Sequence, residues 1–222
     1  MSHFDKSFVD FFKQLSANNT SAWFADNRKT YETSVKNPFK AFVDEMITRI
    51  QKHQPEINIS SSDAIFRINK DIRFSKDKTP YNTHVSANVS SQGRKSKEEP
   101  GFYFQLSHEG IEIFGGAYIV EPGNLQNLRN HIAQNLKTFA ALYNDKNFKE
   151  KFGSIHGEKN KKLPDDIKAL VDKEPLLANK QFFYSAKIKP SAITQKDLAD
   201  QLMEYYKAGK KMNDFLKDGL KG

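Results

Sequence analysis

A chain of 222 residues with 18 Phe can bury a sizeable core as a single domain spanning residues 1–222, and the lack of cysteine excludes disulfides and thiolate chemistry. The formal net charge is +8, and the segment Ile65–Lys97 alone holds eight Lys/Arg against two Asp/Glu, a net of +6. Such a field attracts phosphates, nucleic acid or carboxylates. No run approaches the roughly 18 apolar residues of a membrane span, and Met1–Phe12 lacks the apolar stretch of a signal peptide. The expectation is a soluble cytoplasmic protein with no membrane partner.

Phe4, Phe8, Phe11, Phe12 and Leu15 fall at helical spacing, with Ser2 as a cap. Thr20 or Ser21 caps a second helix carrying Trp23, Phe24, Asn27 and Tyr31. Asn37-Pro38 predicts a fresh start, an N-cap followed by Pro at the first helical position. Phe39, Phe42, Val43, Met46, Ile47 and Ile50 then form one apolar stripe. The middle of the chain reads as strands over Ala64–Phe74, His84–Ser91, Phe102–Ser107 and Ile111–Phe114, the last two joined by a turn at His108-Glu109-Gly110. Ser90–Pro100 is polar and basic, a mobile loop. From Pro122 the pattern is helical again, with Leu125, Leu128, Ile132 and Leu136, then Phe139, Leu142 and Tyr143. Asn144–Lys162 is Lys-rich and broken by glycines, Gln181–Lys189 reads as a strand, and Thr194 caps a last helix with Asp197 three residues on. Helices, then strands, then helices predict an α+β fold: a mainly antiparallel sheet of four or more strands flanked by N-terminal and C-terminal helices.

The central run resembles the hallmark of a widespread bacterial family of conserved hypothetical proteins, domain of unknown function 2461. The resemblance is carried by Arg67, Asp71, Arg73-Phe74-Ser75-Lys76-Asp77-Lys78 and Pro80-Tyr81. Asn18-Asn19, Trp23-Phe24, Asn27-Arg28, Gly115-Gly116 and Leu125, Leu128 and Arg129 fall in matching order, so it spans nearly the whole chain. Lys70 stands where Arg is common and Asn82 where Lys is common. The first change loses the planar fork of a guanidinium and the second removes a charge. The resemblance implies a bacterial source and brings no activity with it.

On an extended strand Arg67, Asn69, Asp71 and Arg73 share one face. One reading makes this a ligand platform, in which Arg67 and Arg73 grip an oxyanion and Asp71 orients one of them. The other is an Arg-Asp-Arg network that only stitches the sheet to its helices. Lys76 and Lys78 add field in the adjoining loop. That loop has no glycine and so is no Walker phosphate cradle. Tyr81 and His84 are acid–base groups beside it. With Asp71 they form the candidate catalytic set, and Arg67, Arg73, Lys76 and Lys78 the ligand-binding set.

No histidine pairs at zinc-ligand spacing, and the cations around Asp71 and Asp77 argue against magnesium, so no metal site is expected. No dinucleotide fingerprint or Gly-x-Ser-x-Gly elbow appears, so the sequence names no cofactor. Gly115-Gly116 lets another backbone or a ligand approach.

Three functions compete. The first is a cytoplasmic protein with a basic anion site, an enzyme if Tyr81 or His84 moves a proton on a phosphorylated or carboxylated small molecule. The second is a nucleic-acid-binding module using Arg94-Lys95-Ser96-Lys97 and the aromatic strand Phe102-Tyr103-Phe104. The third is a structural or interaction domain without a ligand. Burial of Phe102 and Phe104 would remove the stacking platform. Convergence of the Arg67–His84 polar groups in a pocket would favour the small anion.

Overall fold

In the computed structural model, residues 2–95 and 98–221 are described. Four strands, β1 (His84–Val89), β2 (Phe102–Ser107), β3 (Gly110–Ala117) and β4 (Phe182–Ile188), pair in the order β1-β2-β3-β4 as an antiparallel sheet. Helices precede and follow it, so the fold is α+β. β2 and β3 are the expected hairpin. Along β2, Phe102, Phe104 and Leu106 are buried and the residues between them half-buried, the period-two signature of a strand with one face on a core. β3 continues through Gly115 and Gly116. Gly116 has φ +87°, and a side chain there would collide with the Phe182 carbonyl of β4. These glycines therefore admit a neighbouring strand. No helix among the described residues is long and apolar enough to cross a membrane.

By its internal contacts the chain divides into two compact units. The first comprises Met1–Lys95, Tyr103–Ile113 and Lys187–Met203; the second comprises Ser96–Phe102, Phe114–Ala186 and Glu204–Gly222.

In the first unit, α1 (Lys6–Ala17) buries Phe8, Phe11, Phe12 and Leu15. Its cap is Asp5, whose side chain accepts from the Ser7 N–H, rather than Ser2. Thr20 caps α2 (Ser21–Asp26) as predicted, accepting from the Trp23 N–H at 3.2 Å. Beyond it the expected restart at Asn37-Pro38 is absent. Instead α3 (Arg28–Thr30) runs into a π-helical turn (Tyr31–Lys36) and on into α4 (Asn37–Gln51). Pro38 lacks an N–H and its ring crowds the carbonyl four residues back, so a straight α-helix would be broken there. The wider turn, with the Asn37 N–H reaching Glu32, lets the helix pass through. α4 carries the predicted stripe, and its Phe39 and Phe42 meet Phe104 of β2 at ring distances of 6.1 and 5.8 Å.

The second unit, which also holds the short helix α9 (Asp165–Lys168), packs α6 (Pro122–Gln134), α7 (Leu136–Asn144), α8 (Lys146–Phe152) and the later part of α10 (Leu198–Lys221) around Phe139, Phe148, Phe182 and Tyr184. α8 lies inside the Lys-rich stretch that reads as broken, capped by Asp145 through the N–H groups of Asn147 and Phe148. α10 starts at Leu198, not after a Thr194 cap: the residues from Ile193 to Asp197 are in turns and a bend, and the Asp197 carbonyl accepts from the Gln201 N–H at 2.9 Å. Buried Arg129 donates to the Asn179 carbonyl at 2.9 Å.

Candidate functional site

The predicted strand over Ala64–Phe74 is not a strand. Ala64 closes the short helix α5 (Ser61–Ala64), and beyond it the chain forms an irregular arm that goes out and comes back. Two isolated bridges hold it, Ile65 to Ala87 and Asn69 to Tyr81. Around the second, Lys70 N–H donates to the Pro80 carbonyl at 2.9 Å and Asn82 N–H to the Ile68 carbonyl at 2.7 Å. The ladder stops there because side chains capture the backbone. Asp71 accepts from the Arg73 N–H at 3.3 Å and Asp77 from the Thr79 N–H at 2.9 Å, while Pro80 has no N–H to give.

Inside the arm, Ile68 and Tyr81 are buried. The Tyr81 ring stacks on Phe24 of α2, centroids 4.0 Å apart and planes 15° apart. Asn19 fixes the same residue from the other side. Its amide donates to the Tyr81 carbonyl at 2.8 Å and its oxygen accepts from the Tyr81 N–H at 3.2 Å. The arm thus becomes one wall of a cleft of about 850 Å³. The α3–α4 run is another wall, and the turn Gly93–Lys95 contributes to it as well.

Charge in this cleft is one-sided: Arg28, Lys36, Lys40, Arg67, Arg94 and Lys95 line it against Glu32. Among the described residues Arg28, Lys36, Lys40 and Arg67 have no ion pair within 4.0 Å and no side-chain hydrogen bond. Arg94 differs, being held to the Ser62 carbonyl and, at 2.8 Å, to the Ile65 carbonyl. Its turn depends on Gly93, at φ +59°, where a Cβ would lie 2.5 Å from the Asp63 carbonyl oxygen. Apart from Ser62 and Asn69, the rest of the lining is apolar or aromatic, including Phe24, Tyr31, Phe39, Phe66 and Tyr81.

Of the candidate catalytic and ligand-binding residues the cleft brings together Arg67 and Tyr81, and from the basic loop of the nucleic-acid reading it takes Arg94 and Lys95. Asp71, Arg73, Lys76 and Lys78 are exposed on the tip of the arm and do not line it. Arg73 grips Asp71 with two bonds, 2.9 and 2.7 Å, and among the described residues the two side chains make no hydrogen bond to sheet or helix. The Arg73 guanidinium holds the Asp71 carboxyl below its usual range, helped by the Arg73 N–H and by the charge of Arg67. Lys78 donates to the Ile72 carbonyl at 2.9 Å. Lys70 pairs with Asp77 at 2.7 Å, and that ammonium, with the Thr79 groups, pulls Asp77 far below the carboxylate range. Phe74, which patterning assigns to a core face, is 96% exposed. Sequence reasoning missed Arg28, Lys36 and Lys40 as site residues. Their signal was spacing: with Glu32 they recur every four residues.

His84 begins β1 and is half-buried, outside the cleft lining. Burial pushes its pKa below the ordinary value of 6.5, Lys70 adds to this and Glu112 opposes it. A histidine whose folded pKa is depressed prefers to stay neutral in the fold. Its contribution is present above the unfolded value, about 6.5, and is lost as pH falls below that toward the folded value. Melting temperature should therefore drop less between pH 7.5 and 5 in His84→Gln than in the wild type. Parallel pH profiles would show that His84 carries no such linkage.

A sheet-based α+β protein with a cationic cleft built from a helix with a π-helical turn and an irregular arm is the class these observations define. The chain belongs to the family of conserved hypothetical proteins termed DUF2461, whose model matches residues 7–215. No curated protein and no solved structure matches it.

Proposed function

We propose that the cleft binds a small molecule bearing phosphate or carboxylate groups, in a protein of the bacterial cytoplasm. The observation that carries this reading is the set of four cations, Arg28, Lys36, Lys40 and Arg67, that line one cavity and make no ion pair within 4.0 Å among the described residues. Long cationic side chains usually find a carboxylate when one is within reach. Among the described residues six cations share the lining with a single acid, so the site attracts an anion from solution. A volume of about 850 Å³ lies inside the range for small-molecule sites. Arg67 and Arg28 supply planar forks for an oxyanion, and the lysines supply field. Arg73, Lys76 and Lys78 on the arm tip extend that field, and Asp71 orients Arg73. Tyr81 is the acid–base group of the cleft if the protein is an enzyme; His84 serves β1. The nucleic-acid reading loses its stacking surface, because Phe102 and Phe104 are 5% and 0% exposed. Ser96 and Lys97 of its basic loop lie outside the described residues.

Isothermal titration calorimetry and thermal melts with inorganic phosphate, pyrophosphate, nucleotides and di- and tricarboxylates test the reading. Saturable heat and a rise in melting temperature are expected for at least one of these anions at or below millimolar concentration. A flat response to every anion would sink it. Tighter binding to a single-stranded oligonucleotide than to any small anion would move the function to the second reading.

A further inference from the structure

The aromatic rings that line the cleft are of two kinds. Phe24, Phe39 and Tyr81 are buried and already taken up by the fold, Phe24 and Tyr81 by stacking on each other and Phe39 by packing against Phe104. Tyr31 and Phe66 line the same cleft but are only half-buried. Tyr31 belongs to the helical wall, in the π-helical turn, and its ring rests on Phe11 and Phe24 with centroids 5.7 and 5.1 Å apart. Phe66 belongs to the arm. Its N–H donates to the Ser86 carbonyl at 2.9 Å and its ring meets Tyr103 of β2 at 5.9 Å. Each ring is held by its neighbours and keeps part of its surface for the cleft. The Tyr31 hydroxyl makes no hydrogen bond among the described residues and is not sealed from solvent. Burial of the ring, with the Glu32 charge adding to it, pushes the Tyr31 pKa up to about 12, so near neutral pH the group keeps its proton and can donate it.

A bare phosphate or carboxylate would answer the cations and leave both rings facing water. Covering that apolar surface is favourable, and small-molecule sites commonly pair a few polar groups with aromatic walls. From this we infer that the natural ligand of the cleft carries its anionic group on an aromatic ring system, with Tyr31 and Phe66 as the specificity-determining rings that pack against it. The inference rests on the anion-site reading and specifies the ligand class for that site. An aromatic body suits these walls better than an aliphatic one of equal carbon count, because rings in offset or edge contact gain more than their buried area alone supplies. Arg28 and Arg67, without ion pairs among the described residues, add guanidinium planes that stack on a flat π face. The Tyr31 O–H donates to the oxyanion.

The test is a set of matched pairs read by calorimetry at about pH 8, where phosphate esters are dianions: phenyl against cyclohexyl phosphate, and benzoate against cyclohexanecarboxylate. Carbon count and charge are equal within each pair, so burial of apolar area alone gives the aromatic member no advantage. The aromatic member should bind about fivefold more tightly in at least one pair. Tyr31→Leu and Phe66→Leu should each reduce that ratio to about twofold or less, whereas Tyr31→Phe should keep the ratio and weaken both members alike. A ratio taken on the folded protein is indifferent to any stability the leucine variants lose. Adenosine monophosphate, titrated alongside, separates the sources of such a ring: tighter binding than phenyl phosphate, lost in the leucine variants, supports a nucleotide, and weaker binding supports a simple aryl anion. If the aromatic member has no advantage in either pair, if the leucine variants leave its advantage intact, or if only ring-free anions such as pyrophosphate bind, the aromatic inference is overturned and the anion site stands. If no anion of any kind binds, both readings fall together.

Discussion

Reversing two charges on the helical wall, Lys36→Glu with Lys40→Glu, is expected to weaken binding of the tightest anion by at least about 100-fold while leaving the fold intact. The change in the cleft is four charge units. At an effective dielectric near 20, a unit charge some 7 Å from a phosphate is worth about 2 kcal/mol before ionic screening, and screening trims rather than removes it. A third of the unscreened sum, about 2.7 kcal/mol, already amounts to about 100-fold. Stability has little to lose, because both lysines are exposed and neither makes an ion pair or side-chain hydrogen bond among the described residues. Exposed substitutions of this kind shift stability by about 0.5 kcal/mol or less. Lys161→Glu with Lys162→Glu, exposed in the second unit, imposes the same net-charge change on residues that do not line the cleft and should bind nearly as the wild type does. Equal loss in both double variants would mean that affinity follows net charge alone.

The strands β2 and β3 were legible because their alternation has a single cause. Phe102, Phe104 and Leu106 must face one core, and the short turn after Ser107 leaves only a hairpin. The arm shows the same alternation and is not a strand. Ile68 is buried as the pattern requires, but Phe74 is not, because the Asx turns at Asp71 and Asp77 offer the backbone a competing set of hydrogen bonds. Periodicity reports burial; it does not report which partner the backbone chooses. The same limit explains Asn37-Pro38, where the cap-and-proline signal is real but the helix absorbs the proline by widening.

Half of the candidate site was visible for a related reason. Arg67 and Tyr81 belong to the charge-dense central segment, so composition drew attention to them. Arg28, Lys36 and Lys40 sit in a helix whose apolar stripe explains its presence. Their shared spacing becomes a site only when the arm is laid opposite. That juxtaposition is tertiary, and it depends on the contacts that pin the arm.

Asn19 is the most exacting of those contacts, and Asn19→Ala should lower unfolding free energy by about 2–4 kcal/mol. The bridge between Asn69 and Tyr81 is of the kind whose hydrogen bonds flank the paired residues, through Lys70 to Pro80 and Asn82 to Ile68. The N–H and carbonyl of Tyr81 therefore face away from the arm, and the Asn19 carboxamide meets both as a further strand would. Alanine strands two polar groups of a buried residue, each costing about 1–3 kcal/mol when left without a partner. Asn19→Asp keeps the acceptor for the N–H but sets a carboxylate against the Tyr81 carbonyl, so it should not rescue. Asn18→Ala is the matched control. The Asn18 side chain is exposed and only donates to Gln14 at the end of α1, a loss of about 1 kcal/mol or less. Urea unfolding of the three variants, with anion titration of each, separates the two roles. Asn19→Ala should lose both stability and affinity, since the wall carrying Arg67 is no longer pinned. If Asn19→Ala and Asn18→Ala unfold alike and bind alike, the arm is held by the Phe24–Tyr81 stack alone and the clamp has no part in shaping the cleft.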